Sequence, residues 1–386
     1  MPGPQTSQTR SAGVTLEVVP PGPDLWPTLR PAWATLLERT GEVSAFLSEG
    51  WISAWIHAFA ERMSTSGLLW RDAAGQPVGC ALISVGSNRV GPLRISSAFL
   101  NASGAWEVGC DHNDVLVVDA HRAQVYDDLV SILRSTGADE VRLKGVRRDL
   151  YRELSRRWPY TGWDSYCSES PYVDLVGIRA SGRPYLRHLS ANTRGGIRRS
   201  IRLYEEALGP ASVEVAGGPA EALAWFDELV ELHERSWRIR GQEGGFKGNA
   251  RAFHQSLIRR SAGRSGGEGL AVDLVRVRFG GHTVGLLYNV VYQRRVLFYQ
   301  SGLRYDADGR LKPGLVSHAL AVDHYLRCDD FEYDFLGGES EPVQYKRSLA
   351  TDRRPLHWAQ LVSPGPKMAL LRNLHLAWDR VRGRGG

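Results

Sequence analysis

LAVDLVRVRFGGHTVGLLYNVVYQRRVLFYQS, residues 270–301, reads as three β-strands and one tight hairpin. Leu270–Phe279 and Thr283–Val291 are rich in β-branched and aromatic residues, and Gly280-Gly281-His282 between them is a hairpin turn. Arg295–Ser301 is a third strand. Gly314–Leu326 then follows a helical period, and Phe331–Leu336 is a short apolar strand after it. A hairpin that feeds a strand, a helix and another strand predicts antiparallel pairing passing into a parallel crossover. The fold class that follows is α/β with a mixed sheet.

Upstream, Pro184–Gly209, Pro219–Arg240 and Ala250–Ser261 read as helices, with a strand at Ser212–Ala216. The first half has the same grammar. Val14–Val19 is a strand, and Leu25–Arg39 and Trp51–Glu61 are amphipathic helices. Gly67–Arg71 and Val78–Val85 form a hairpin around Ala74-Gly75-Gln76-Pro77. Asp114–Val118, Ala120–Ser135 and Glu140–Gly145 then run strand, helix, strand. A break is expected over Trp158–Pro171. A chain of 386 residues is long enough for two domains. The expected division is a disordered N-terminus over 1–13, domains over 14–168 and 169–363, and a basic amphipathic tail over 364–386.

Composition narrows the function classes. No apolar run is long enough to cross a bilayer, and the first residues have no apolar h-region, so a cytoplasmic protein is expected. Cys80, Cys110, Cys167 and Cys328 are scattered, which fits reduced thiols rather than a disulfide framework or a zinc site. No His cluster has metal-ligand spacing, so no metal is expected. The net charge of +6 suits an anionic partner.

Three segments carry chemistry-bearing residues. In Tyr333-Asp334-Phe335-Leu336-Gly337-Gly338-Glu339, followed by Tyr345-Lys346, a carboxylate lies near the end of a strand, where α/β sheets collect ligands. Its alternative is a strand-terminal Asp capping a turn. In Arg310-Leu311-Lys312-Pro313-Gly314, with Leu315 and Val316, a helix start offers backbone N–H groups and a favourable dipole to a phosphate. Arg194, Arg198 and Arg202 fall at i, i+4 and i+8 and form one stripe on a helix. His233, Arg235 and Trp237 end a helix before the glycine-rich stretch 241–248. His318 and His324 read as structural.

These segments resemble the bacterial GNAT acyltransferases related to CelD of cellulose biosynthesis, relatives of the Fem aminoacyltransferases. The residues that carry the resemblance are Tyr185-Leu186, Leu189-Ser190, Arg194, Arg198-Arg199, Arg235-Ser236-Trp237, Pro313-Gly314, and Asp334 to Glu339 before Tyr345-Lys346. It covers residues 172–362; the first half matches in pattern only. The resemblance implies tandem GNAT folds, with the donor's pantetheine chain between the strands Arg295–Ser301 and Phe331–Leu336 and its phosphates at Gly314. One glycine stands there where such loops commonly have two. The first half lacks a matching turn, so no donor is expected in it.

The expected reaction is direct acyl transfer from a thioester, acyl-CoA as co-substrate, to a small-molecule amine. In it Asp334 or Glu339 takes the ammonium proton, Tyr345 protonates the thiolate, and Lys346 anchors Asp334 or a substrate anion. Arg310, Lys312, Gly314, Leu315 and Val316 would hold the cofactor; Arg194, Arg198, Arg235, Trp237, Tyr299 and Ser301 would line the substrate. Two other readings stay open. One is a Fem-type transferase that takes its aminoacyl group from charged tRNA. The other is a non-catalytic accessory protein that contacts a membrane peripherally through 367–384.

Overall fold

The computed structural model describes residues 8–11, 13–104, 108–158, 161–239, 245–261, 269–306, 308–338 and 344–373. Along the chain come β1 (Gln8–Ser11), β2 (Val14–Val19), α1 (Leu25–Arg39), α2 (Glu49–Phe59), β3 (Ser64–Asp72), β4 (Pro77–Val90), β5 (Leu93–Leu100), β6 (Leu116–Val117), α3 (Arg122–Ser135), β7 (Glu140–Arg147) and α4 (Arg148–Arg157). Then follow β8 (Thr161–Asp174), α5 (Leu175–Ser181), α6 (Ala191–Leu208), β9 (Ala211–Val215), α7 (Pro219–Ile239), α8 (Asn249–Ser261), β10 (Ala271–Phe279), β11 (His282–Tyr292) and β12 (Arg295–Leu303). The chain closes with α9 (Pro313–Leu326), β13 (Glu332–Asp334), α10 (Gln344–Leu349) and β14 (Asp352–Val362).

Two compact units form. One is Met1–Cys167 with Leu356–Gly386, and the other is the continuous stretch Ser168–Pro355. Each repeats one order: a strand, two helices, three antiparallel strands, a crossover helix, and a strand parallel to the last of the three. In the first unit the parallel pair is β5 with β7; in the second it is β12 with β13. All other named pairings are antiparallel. The fold is therefore mixed α/β, as the period of the sequence predicts.

Four expectations change. Trp158–Pro171 holds the boundary between the units, at Cys167/Ser168, but is no break in structure: β8 runs through it from Thr161, and Tyr172–Asp174 pair with β13. Gln8–Ser11 of the expected disordered N-terminus pair with β2. Leu356–Val362, expected in the second domain, lie along β7 in the first unit. Pro184–Gly209 splits at Leu189-Ser190, because the Ser190 hydroxyl caps α6 by accepting the Thr193 N–H. The described start of the tail docks on its own unit: Met368 is buried, and Lys367 Nζ donates to Asp139 Oδ2 at 2.6 Å and the Arg94 carbonyl at 3.0 Å. The remainder, 374–386, lies outside the described residues, and no described helix is long and apolar enough to cross a membrane.

Each unit has its own core. Trp70, Leu68, Ala81, Leu129 and Leu143 are buried together in the first, and Val275, Leu287, Val322, Tyr325 and Tyr333 in the second.

The parallel pairs differ between the two units. In the first unit β5 pairs with β7 from Ser97 to Phe99, and the chain then leaves on an excursion. It returns at Asn113, whose N–H donates to the Gly145 carbonyl and whose carbonyl accepts from Arg147 N–H, while Leu116 and Val117 pair with β4. Residues 113–117 thus resume the place that β5 vacates. Two buried asparagines stitch the break. Asn101 Oδ1 accepts the Leu82 N–H at 2.9 Å, as a strand carbonyl would, and its Nδ2 donates to Asn113 Oδ1 at 2.9 Å. Asn113 Nδ2 donates to the Leu100 carbonyl at 3.1 Å. Asn101 holds φ at 52°, a conformation Asn tolerates better than most residues. Replacing Asn101 by Ala strands a buried Leu82 N–H and the Asn113 amide, so unfolding of the first unit in urea should be easier by about 2–4 kcal/mol; an unchanged midpoint would contradict this account.

Candidate active site in the C-terminal unit

In the second unit the same strand pair is open. β12 and β13 are in register only from Arg295↔Glu332 to Leu297↔Asp334. β12 continues on β11 to Leu303, whereas β13 stays with β8 through the bond from Phe335 N–H to the Pro171 carbonyl. Two features part the strands. Tyr299 is an extra residue on β12, since Phe298 faces Asn289 and Gln300 faces Tyr288; such a bulge bends its strand. Beyond β13 the chain turns sharply, with Leu336 at φ 58° and Gly338 at φ 130°.

The segment expected to be catalytic builds that turn. Asp334 is fully buried, and its Oδ1 accepts from Leu336 N–H at 2.7 Å and from the Ser170 hydroxyl at 2.6 Å. Its Oδ2 lies 4.0 Å from Arg354. Arg354 also pairs with Glu332 at 2.5 Å and lies over the Tyr172 ring. Burial opposes the charge on Arg354, but Asp334 and Glu332 outweigh it and hold its pKa above the ordinary value. Lys346 Nζ donates to the carbonyls of Phe335 at 2.8 Å and Leu336 at 3.3 Å. Lys346, expected on Asp334 or a substrate anion, thus meets the strand-end carbonyls. Asp334 and Lys346 together fix the bend that carries β13 away from β12. Tyr345 is half-buried and stacked on His318, with ring centroids 5.9 Å apart. Glu339 lies outside the described residues.

The opposite wall is the edge of β12. Gly302 is required there, because a Cβ would stand 2.5 Å from the Leu229 carbonyl of α7. That close approach brings the helix onto the strand, and His233, one turn after Leu229, meets Ser301. His233 Nδ1 lies 3.2 Å from the Ser301 carbonyl. A carbonyl only accepts, so Nδ1 carries the hydrogen and Nε2 of a neutral ring is the acceptor nitrogen. The Ser301 N–H donates to Gln300 Oε1 at 3.0 Å. Behind His233 lies an aromatic box. Trp237 and Phe246 are 5.6 and 5.4 Å from its ring, and Phe226, His254, Tyr288 and Tyr299 continue it. Tyr299, Ser301 and Trp237, expected to line substrate, are all half-buried on this wall, whereas Arg235 is exposed. His233 was not among the expected catalytic residues. Its signal was present, since it lies two and four residues before Arg235 and Trp237 on the same helix.

The expected phosphate site is narrower than the sequence suggests. The backbone N–H of Lys312 donates to Ser200 Oγ at 2.9 Å, and Val316 N–H to the Lys312 carbonyl. Pro313 has no N–H, so Gly314 and Leu315 supply the N–H groups of the first turn that meet no carbonyl within the helix. Val316 is buried in the core beside Tyr204 and Phe279. Arg310 is held by Asp308 of its own turn at 2.7 Å, and its guanidinium keeps that exposed carboxyl down at about 2. Arg194 donates to the Leu189 carbonyl at 3.2 Å, and Arg198 is exposed on α6, the helix that meets the start of α9 through Ser200.

No disulfide forms among the described residues, and burial pushes the Cys80 and Cys110 thiols far up, which removes them as nucleophiles. Among the described residues no group of three His, Cys, Asp or Glu is placed to hold a metal ion.

Residues 191–347 match the family model of an acetyltransferase (GNAT) domain. The C-terminal unit is a GNAT-type acyltransferase domain. Its match covers α6 to α10, and the N-terminal unit repeats its element order. No curated protein sequence matches the chain. The crystal structure of FemX is similar over 88% of this chain and 97% of its own, at 10% identity and a TM-score of 0.55. The structure of L-PGS from Bacillus licheniformis is similar over 92% of this chain and 98% of its own, at 13% identity and a TM-score of 0.52. At these identities the likeness is one of fold.

His254 of the GNAT domain is fully buried beside Tyr288, and burial pushes its pKa down to about 3. The folded state keeps this ring neutral while the unfolded chain protonates it near its ordinary value, about 6.5. Its contribution to stability is therefore full above pH 6.5 and is lost as pH falls from there towards 3. The His254→Phe variant should show a shallower fall of unfolding free energy between pH 6.5 and 4, by up to about one proton. An identical pH slope in the two proteins would show that His254 does not charge on unfolding.

Proposed function

We propose that this chain is an N-acyltransferase that moves an acyl group from a thioester, acyl-CoA in the first instance, onto an amine by direct attack. The observation that carries the reading is the open edge of β12, with His233 held on the Ser301 carbonyl opposite the bend that ends β13. A donor chain lying between the strands would bring its carbonyl to the bulge at Tyr299. Phosphates would sit at Gly314 and Leu315, with Lys312 nearby.

The amine nitrogen attacks the thioester carbonyl carbon, the C–S bond breaks, and an amide forms. His233 Nε2 takes the ammonium proton, and Tyr345 protonates the departing thiolate. Proximity supplies the larger share of the acceleration, on the order of 7 kcal/mol or more. Asp334 is a positioning residue in this scheme rather than the proton acceptor, because its carboxylate is buried and engaged.

A second reading replaces the thioester by the ester of charged tRNA, as in Fem-type transfer. The reduced set of N–H groups at α9 and the exposed arginines of α6 next to it favour this donor, as does the fold likeness to FemX. The CelD-like character and a role in polysaccharide, lipid or specialised-metabolite assembly rest on the sequence resemblance alone.

Acetyl-CoA with a panel of amines, followed by thiol release, separates these readings from a charged-tRNA assay. A tRNA donor would bind with an affinity that falls steeply with salt. With whichever donor is active, His233→Ala should lower kcat/KM by about 10²–10⁴; undiminished turnover would remove His233 from the mechanism. Asp334→Asn keeps an acceptor for the Leu336 N–H but weakens the pairing with Arg354. It should raise the donor KM and leave the shape of the pH–rate profile unaltered. Loss of the basic limb of that profile would instead make Asp334 the proton acceptor.

A further inference from the structure

Beneath the point where β12 and β13 part lies a buried chain of polar side chains. Asp273 Oδ2 accepts from the Tyr325 hydroxyl at 3.1 Å, and the Tyr325 oxygen accepts from Asn289 Nδ2 at 3.0 Å. The Asn289 amide also faces the Tyr333 hydroxyl. Tyr333 lies 3.0 Å from His318 Nδ1. Every member is at most 1% exposed. The chain starts at a carboxylate, so its polarity is directional. Tyr325 gives its hydrogen to Asp273, and Asn289 gives one to Tyr325 and faces Tyr333 as a donor. The Tyr333 hydrogen then goes to His318 Nδ1. A neutral imidazole that accepts at Nδ1 carries its hydrogen on Nε2.

His318 Nε2 is buried and has no hydrogen-bond partner. Buried N–H groups of this kind are rare and costly. The ring lies against Phe298 and Phe335, at centroid distances of 4.3 and 5.2 Å. Those are the first residues of the two strands beyond their last paired residues. One side of the ring is covered by Tyr345, the half-buried ring among its four aromatic neighbours.

We propose that His318 is a donor-binding residue, whose Nε2–H receives a carbonyl oxygen of the acyl donor's chain when that chain seats between Phe298 and Phe335 and displaces the Tyr345 ring. The chain of Tyr333, Asn289, Tyr325 and Asp273 is the positioning device that fixes the tautomer. The cradle is aromatic, and Lys346 stands near the ring; both keep the imidazole neutral, with its pKa pushed down by burial to about 3. A neutral N–H among aromatic rings selects a neutral acceptor such as an amide, thioester or ester carbonyl over a phosphate. This inference rests on the acyltransferase reading above. Both donors considered there carry such a carbonyl, the amides of pantetheine in one and the aminoacyl ester in the other.

The test combines two variants with one spectrum. His318→Leu should raise the donor KM about tenfold, the worth of one hydrogen bond, with the acceptor KM unchanged. His318→Gln, which restores an N–H donor, should recover most of that loss. Histidine-labelled protein should show one buried ring protonated at Nε2, whose resonance moves on adding acetyl-CoA in one arm or an RNA hairpin with a non-hydrolysable 3′-aminoacyl amide in the other. The arm that moves it identifies the source of the carbonyl. Calorimetric binding of a donor with the His318 signal unmoved overturns the role of His318 and leaves the acyltransferase reading intact. A folded His318→Leu protein with unchanged donor KM does the same. Failure of both donors to bind overturns the two readings together. Should His318→Leu not fold, the wild-type spectrum decides.

Discussion

A parallel strand that leaves its neighbour exposes a row of peptide N–H and carbonyl groups, and these need partners. Everything in the C-terminal unit that bears on function follows from that need at the end of β13. The strand stops pairing with β12 after Leu297↔Asp334, and side chains take over: Asp334 accepts the Leu336 N–H, and Lys346 covers the Phe335 and Leu336 carbonyls. On the facing edge, His233 and Gln300 hold the carbonyl and N–H of Ser301. The opening is thus held by hydrogen bonds on both walls.

The N-terminal unit meets the same constraint in the opposite way. There the chain returns at Asn113 and restores the ladder with main-chain groups, with Asn101 and Asn113 bridging the cut. One topology thereby yields a closed sheet and an open one. The difference lies in the 21 residues between β5 and α3, which refill the gap, and in the bulge at Tyr299 and the bend after β13, which open it. Between β5 and β7 the place that stays open between β12 and β13 is filled by residues 113–117.

Element types were legible where the period was strong. Leu270–Ser301 showed its hairpin and third strand because alternation and the Gly280-Gly281 turn agree. The second of these is tightly constrained, since a Cβ on Gly280 would stand 1.4 Å from the Leu208 carbonyl. β8 was not legible. Its strand runs through Ser168, Ser170 and Pro171, which read as a break, and its pairing with β13 is a tertiary fact. The bend after β13 was legible in place, but not the partners of its side chains. A motif of Asp, two glycines and Lys announces a sharp backbone event, yet spacing does not say whether the carboxylate faces a substrate or a Ser hydroxyl and a backbone N–H. The role of His233 was not legible for a similar reason: its meeting with Ser301 depends on Gly302 admitting the backbone of α7, and no local pattern reports the approach of Leu229 to Gly302, 73 residues further on.

The division of the chain adds a constraint on how such a molecule folds. The C-terminal unit is a continuous stretch, Ser168–Pro355, and the first unit is completed only by Leu356 onwards. The strand that finishes the first sheet, Leu356–Val362 against β7, is therefore synthesised after the whole second unit. Until then β7 has an unpaired edge, including the segment around Glu140, whose buried carboxylate takes its hydrogen bonds from Ser97, Arg142 and Gln360. Gln360 arrives last of these. A half-satisfied buried carboxylate is costly, so the first sheet reaches its final stability only once the second unit has been made.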